Sequence, residues 1–298
     1  LCSFGRHETF PLRFNWVPKA FLALKADPGV FKSESATVEL GVGKNMVSSI
    51  RYWLSATRLI DGQDSITPLG RYLFDPESGV DPYLEDEGTI WLLHWLLASN
   101  IERSTTLFWF FNSFHKQVYS TEEINVSLRD FVSDSVSEKK QPSLSSQKSD
   151  VSVLTRMYSH TKVDKKAAYE DILSSPFTDL GLIQEAGARG RLSTSSEDRN
   201  GLPAEILLFA VCQVSDSDQE IIELDSLMHY RGSRAAAGAV FRLSEEGFVS
   251  KLESACELVP DVFKLERSGV LAQLFKLKKI DEISLLDKYY RVRKRKAA

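Results

Sequence analysis

The chain has 298 residues, of which 43% are hydrophobic and 26% charged, with a formal net charge of -4. That balance excludes a disordered or fibrous chain and fits two domains of roughly 100–200 residues, each with its own core. The slight acidity excludes bulk charge as the means of holding nucleic acid, so any such contact has to come from local basic patches.

Residues 1–19 form an aromatic, basic and irregular lead-in. A short helix is predicted over Pro18–Ala26, with proline in its first turn, and Asp27-Pro28-Gly29 stops it. Ser35–Leu40 reads as a second short helix ending at Gly41-Val42-Gly43, and Lys44 to about Thr57 as a third. Leu59–Ile66 reads as two short strands around an Asp-Gly turn. Thr67-Pro68-Leu69-Gly70 restarts a helix, with Thr67 as N-cap and Pro68 at the first helical position.

Asp75 to Glu87 is acidic, and helices dense in Trp, Phe and Leu follow at about 89–99 and 105–114. Ser120-Thr121-Glu122-Glu123 has the form of a capping box. Residues 133–150 are Ser-rich and polar. Beyond them, helices are predicted from Val151, over Lys165–Leu173, over Pro203–Val214 and over Ser244–Leu258. A hairpin pairs Phe263–Leu265 with Leu271–Leu277.

The expected fold class is mainly α with small β wings. Residues 1–132 are predicted to be a winged helix-turn-helix DNA-binding domain with an aromatic helical extension. Residues 133–150 are a polar linker or loop, and residues 151–298 an α-rich domain whose helix–hairpin order fits a second winged-helix-like unit. Cys2, Cys212 and Cys256 are widely spaced and form no Cys-x-x-Cys. A disulfide framework or zinc finger is therefore not expected, and a reducing cytoplasm is. Ile90–Ala98, the strongest apolar run, is about half the length a membrane span requires, so no membrane association is expected.

A DNA-reading helix must bury one face and present short polar and basic groups on the other. At 100° per residue, Met46, Val47, Ile50, Trp53 and Leu54 fall on one side of the third helix. Lys44, Ser48, Arg51, Tyr52 and Ser55 fall on the other. Lys44 and Asn45 lie at the helix start, where unpaired amides suit phosphate. Arg51 has the donors for guanine or phosphate, and Arg58 with the Asp61–Ser65 wing would flank the groove. The candidate DNA-binding set is thus Lys44, Asn45, Ser48, Arg51, Tyr52 and Arg58. An ordinary amphipathic surface helix, or a winged helix that docks protein, would give the same wheel.

Gly41-Val42-Gly43-Lys44 lacks the earlier glycine and the following Ser or Thr of a phosphate-binding loop. His7-Glu8 lacks the second histidine of a zinc protease, and no Gly-x-Ser-x-Gly is present. His7, Glu8 and Arg13 nevertheless sit together among Phe4, Phe10, Phe14 and Trp16. A phosphodiester-cutting site needs a base, a carboxylate and a cation, and these three are the candidate catalytic residues. The competing reading is a hydrogen-bonded structural brace. The acidic run Asp81–Glu87 has oxygen ligands for a cation but also suits a helix start. His94, between Trp91 and Trp95, reads as a satisfied buried histidine. Arg291, Arg293, Lys294, Arg295 and Lys296 form a basic tail suited to non-specific phosphate contacts.

Several motifs together carry a family resemblance. They are His7–Arg13 (HETFPLR), Leu40–Val47 (LGVGKNMV), Ser49–Trp53 (SIRYW), Thr67–Gly70, Asp81–Leu84 (DPYL) and Trp91–Trp95 (WLLHW). The chain resembles the bacterial family labelled domain of unknown function 4007, most densely over residues 4–114 and more weakly to Tyr290. The resemblance implies a place in a DNA phosphorothioation system of anti-phage defence, as the subunit that nicks duplex DNA. The implied partners are a cysteine desulfurase, an ATPase and a sulfur-transfer protein resembling phosphoadenosine-phosphosulfate reductase. A nickase would use a divalent cation, magnesium or manganese. Arg6 departs from the family pattern, which has glycine before His-Glu-Thr-Phe. The resemblance transfers no catalytic residue. Two alternatives stay open: a non-catalytic DNA-binding adaptor for the sulfur-transfer partners, and a winged-helix transcription regulator.

Overall fold

The computed structural model describes residues 2–160, 175–187, 190–216, 218–232, 234–268 and 271–297. Among them the fold is mainly α, with thirteen α-helices and two small three-stranded sheets. The predicted helix over Lys165–Leu173 lies outside the described residues. Among the described residues, no helix is long and apolar enough to cross a membrane.

Two compact units divide the chain. The first holds residues 1–110 and 114–195, the second residues 111–113 and 196–298. The division therefore falls at Ser195, not in the 133–150 stretch. That stretch carries the end of one helix, a 3-10 turn and the start of another, whose N-cap Ser143 accepts from the Ser146 N–H at 3.2 Å. Polar composition marked an exposed surface there, and serine capped a helix where a linker was expected.

In the first unit, α1 (Trp16–Ala26) buries Trp16, Val17, Ala20, Phe21 and Leu24. The short α2 (Ala36–Glu39) ends at Gly41, whose φ of +59° makes the left-handed turn into α3 (Lys44–Ala56). The hairpin expected after α3 is reduced to one antiparallel bridge, Ile60 to Ile66, around the Asp61–Ser65 turn. Asp61 Oδ1 accepts the N–H groups of Gln63 and Ser65, both at 2.9 Å, and so closes that turn without a longer ladder.

Helix α4 (Pro68–Phe74) starts as read: Thr67 Oγ1 accepts from the Gly70 N–H at 3.0 Å, with proline at the first position. Helix α5 (Glu87–Ala98) is buried nearly all round, and α6 (Thr105–Ser113) continues the aromatic core. His94 is fully buried, with Nδ1 2.8 Å from the Tyr158 hydroxyl. Strand β1 (Val118–Ser120) leads into α7 (Thr121–Ser135) through the expected capping box, and α8 (Leu144–Tyr158) packs on α7. Strands β2 (Gln184–Glu185) and β3 (Arg191–Ser193) complete an antiparallel sheet in the order β1-β3-β2.

The acidic run binds the backbone. Asp81 is buried, and its carboxylate accepts the N–H groups of Glu85 at 2.8 Å and Asp86 at 3.1 Å. Burial, working against those hydrogen bonds, raises its pKa.

In the second unit, α9 (Ala204–Val214) is the buried helix, and β4 (Ile221–Glu223) follows it. Helices α10 (Leu224–Met228) and α11 (Ala237–Val240) precede α12 (Glu245–Leu258), which Ser244 caps. Phe248, Leu252 and Ala255 form the buried stripe of α12. Strands β5 (Phe263–Ser268) and β6 (Leu271–Lys276) pair as a hairpin, and β4 joins β6, giving the order β4-β6-β5. Helix α13 (Glu282–Ala297) packs on α9.

Candidate functional site

Helix α3 is amphipathic in the way its sequence requires. Val47, Ser49, Ile50, Trp53, Leu54 and Ala56 are buried, and Met46 is half-buried. Lys44, Asn45, Ser48 and Arg51 are exposed. The buried face carries the N-terminal segment: Trp53 Nε1–H donates to the Phe10 carbonyl at 3.0 Å, and the Ser49 hydroxyl reaches the same oxygen at 3.5 Å.

The exposed face forms one wall of an open groove of about 700 Å³. Ser48, Arg51, Tyr52 and Ser55 line that wall. Cys2, Ser3, Arg6 and Glu8 come from the N-terminal segment, and Asp61, Gly62 and Asp64 from the turn after α3. Phe31 lies before α2, and Glu102 and Arg103 lie between α5 and α6. Three arginines from three separate stretches thus face one concavity.

Arg51 is held on one side. Its Nε–H donates to Asp64 Oδ1 at 2.6 Å, and the Asp64 side chain is only 6% exposed. Lys32 Nζ lies 3.7 Å from Asp64 Oδ2. The Tyr52 hydroxyl donates to the Arg103 carbonyl at 2.8 Å. Desolvation, reinforced by the negative charge of Asp150, pushes the Tyr52 pKa well above the ordinary phenol value, so Tyr52 stays a donor.

Beneath the groove, the N-terminal segment is pinned from α8. Asp150 Oδ1 accepts the Gly5 N–H at 2.8 Å and lies 2.8 Å from His7 Nε2. Asp150 Oδ2 accepts the Thr106 hydroxyl at 2.8 Å. The Thr9 N–H donates to His7 Nδ1 at 3.1 Å. A backbone N–H can only donate, so Nδ1 is the unprotonated nitrogen, and Nε2 carries the hydrogen that goes to Asp150. Gly5, Glu8 and Thr9 all adopt left-handed φ angles, of 67°, 49° and 68°. Those side chains cost conformational energy at Glu8 and Thr9, and the surrounding hydrogen bonds hold the strain in place.

The structure brings together Ser48, Arg51, Tyr52 and Glu8 on the groove. Lys44 and Asn45 stand exposed on the first turn of α3. Arg58 is turned elsewhere: it has a φ of 58° and donates to the Ser99 carbonyl at 3.4 Å. Of the three candidate catalytic residues, only Glu8 lines the groove. His7 is buried with both ring nitrogens engaged, and Arg13 is buried with its guanidinium 5.4 Å from the Trp16 ring centroid. Sequence reasoning did not single out Arg6, Lys32, Asp64, Arg103 or Asp150 as site residues. Asp64 and Asp150 carry no local pattern, because their partners Arg51 and His7 lie across a turn and far along the chain.

A family model described as "Protein of unknown function (DUF4007)" matches residues 4–290. No curated protein matches the chain. Two solved structures share its architecture. A crystal structure of SspB superposes with a TM-score of 0.83 at 30% identity, covering 97% of this chain and 88% of that one. A magnesium ion-bound SspB crystal structure gives a TM-score of 0.85, with the same identity and coverage.

Magnesium demands near-octahedral oxygen coordination, usually through one or two carboxylates with water or phosphate completing the shell. Among the described residues, no three His, Cys, Asp or Glu side chains gather as a metal site. Of the four carboxylates that line the groove, Asp64 already faces Arg51 and Lys32, Asp61 Oδ1 is taken by two backbone N–H groups, and Glu8 and Glu102 are the other two. The described residues do not compose a magnesium cage of their own.

Proposed function

Because the chain belongs to the DUF4007 family, we propose that it is a DNA-binding component of a bacterial DNA phosphorothioation system. Duplex DNA lies against the α3 face, with α2–α3 as a helix-turn-helix and the Asp61–Ser65 turn as its short wing. The observation that carries this reading is the groove itself, where Arg6, Arg51 and Arg103 converge beside the exposed start of α3. Arginine supplies both phosphate contacts and base readout, and a helix start suits phosphate. Glu8, Asp61, Asp64 and Glu102 line the same groove, so the reading rests on where the three arginines are placed and not on a net positive charge.

Nicking is the finer activity that the resemblance implies. Glu8 is the candidate that faces the groove, and the assay for nicking is relaxation of supercoiled plasmid with magnesium or manganese. A second reading, the adaptor that delivers sulfur-transfer proteins to DNA without cutting, is favoured by one observation. Both ring nitrogens of His7 are committed to the fold, and among the described residues that line the groove there is no histidine. Open-circle product that disappears in Glu8→Ala supports the nickase, and the absence of any product with either metal favours the adaptor. For binding, Lys44→Ala and Arg51→Ala should each weaken DNA affinity by roughly 1–3 kcal/mol. Unchanged affinity in the double variant would reject this face.

A further inference from the structure

A groove that serves only to attract phosphate gains nothing from a buried carboxylate, which subtracts positive charge from it. Asp64 is such a carboxylate. It sits at the groove with its side chain 6% exposed and holds a left-handed φ of 71°. Its Oδ2 is buried and accepts no hydrogen bond among the described residues, and Lys32 Nζ lies 3.7 Å from it. Burying a charge with one oxygen unsatisfied is costly, as is the backbone conformation that places it. What the arrangement gains is the plane of Arg51.

The guanidinium has two edges for hydrogen bonding. Asp64 Oδ1 takes the Nε–H at 2.6 Å, and among the described residues the two terminal nitrogens donate to nothing. A guanidinium fixed along one edge presents its terminal pair as a two-donor fork in a set orientation. We propose that Asp64 is a positioning residue that orients Arg51 to read a guanine edge in the major groove, exchanging general affinity for sequence discrimination. Guanine O6 and N7 accept such a fork, and each well-made pair is worth a marked preference over the wrong base. Phosphate needs only charge nearby, which a mobile arginine supplies without Asp64. This inference rests on DNA lying against α3, as proposed above.

The test uses the full chain and a pool of short duplexes with a randomised centre, selected by retention on the protein and then sequenced. Total retention and thermal unfolding are measured in parallel. Wild type should enrich a guanine at one fixed position. Asp64→Asn keeps an acceptor but loses the charge, and it should retain the unselected pool about threefold more strongly while enriching little. Arg51→Lys keeps a cation that can pair with Asp64 but lacks the fork, and it should retain the pool without enrichment. A variant that merely unfolds would lose retention and melting temperature together, and that result for both variants would overturn the proposal. Enrichment unchanged in Asp64→Asn would overturn it too, as would wild-type retention with no preferred base. If wild type retains no duplex at all, the DNA reading itself fails, and the role of Asp64 with it.

Discussion

The imidazole of His7 lies flat on the indole of Trp53, with ring centroids 5.9 Å apart and planes within 10° of parallel. Trp53 belongs to the buried face of α3, so the stack ties the N-terminal segment to the helix that forms the groove wall. Replacing His7 by alanine strips Asp150 of a donor, leaves the Thr9 N–H without its acceptor and opens a hole against Trp53. We expect a loss of about 2–4 kcal/mol in unfolding free energy, read from the urea midpoint at unchanged slope. Full stability with abolished DNA cutting would instead make His7 a catalytic group.

Glu123 carries the clearest acid-sensitive contact on the first unit. The Ser120 N–H at 2.8 Å, Lys116 Nζ at 3.2 Å and Arg191 Nη1 at 2.6 Å hold its pKa down to about 2. A carboxylate with a depressed folded pKa contributes stability above its unfolded value, and that contribution is lost as pH falls through the folded value. The gap between wild type and Glu123→Gln should be full at neutral pH and should close between about 4.5 and 2. Acid titration of both proteins by circular dichroism reads it. The site is solvent-exposed, so the gap should also shrink with added salt.

Gly70 explains why its Thr-Pro-Leu-Gly helix start ends in glycine. A Cβ there would lie 2.3 Å from the Leu59 carbonyl oxygen and 3.0 Å from the Phe21 ring. Backbone cannot yield as a flexible side chain would, so Gly70→Ala should cost on the order of 1–3 kcal/mol or more and lower the melting temperature. A variant as stable as wild type would mean that α4 can slide away from the bridge region.

The cysteines should separate by reactivity. Cys2 is exposed, whereas burial pushes the Cys212 thiol up to about 12 and the Cys256 thiol up to about 11. The thiolate is the reacting form, so at mildly alkaline pH iodoacetamide should modify Cys2 well before the other two. Peptide mass spectrometry reads the order, and early labelling of Cys212 would show that the second unit opens readily.

Local chemistry was legible from the sequence, and distant pairing was not. Thr67 and Ser120 announced their helices because a cap acts within three residues. The two faces of α3 followed from its period alone. The brace under the groove did not, because His7 and Asp150 are 143 residues apart and Asp150 sits in a stretch that reads as linker. The sheet β1-β3-β2 was missed because its strands are two or three residues long, too short for any alternation to show. Arg51 was rightly placed on the exposed face, yet its tether to Asp64 depends on how the Asp61–Ser65 turn folds back, which the Asp-Gly signal does not specify.

The anchoring of Gly5 and His7 by Asp150 has a consequence for synthesis. In synthesis Gly5 and His7 precede that acid by 145 and 143 residues, so they settle only after it has been made. Until α8 emerges, Arg6 and Glu8 have no fixed station, and the concavity beside α3 lacks a side. Assembly of this surface is therefore timed by α8, so a partly made chain offers α3 without the neighbour that shapes its grip. Limited proteolysis of stalled chains would show the opening segment cleaved before residue 150 is out and protected after it.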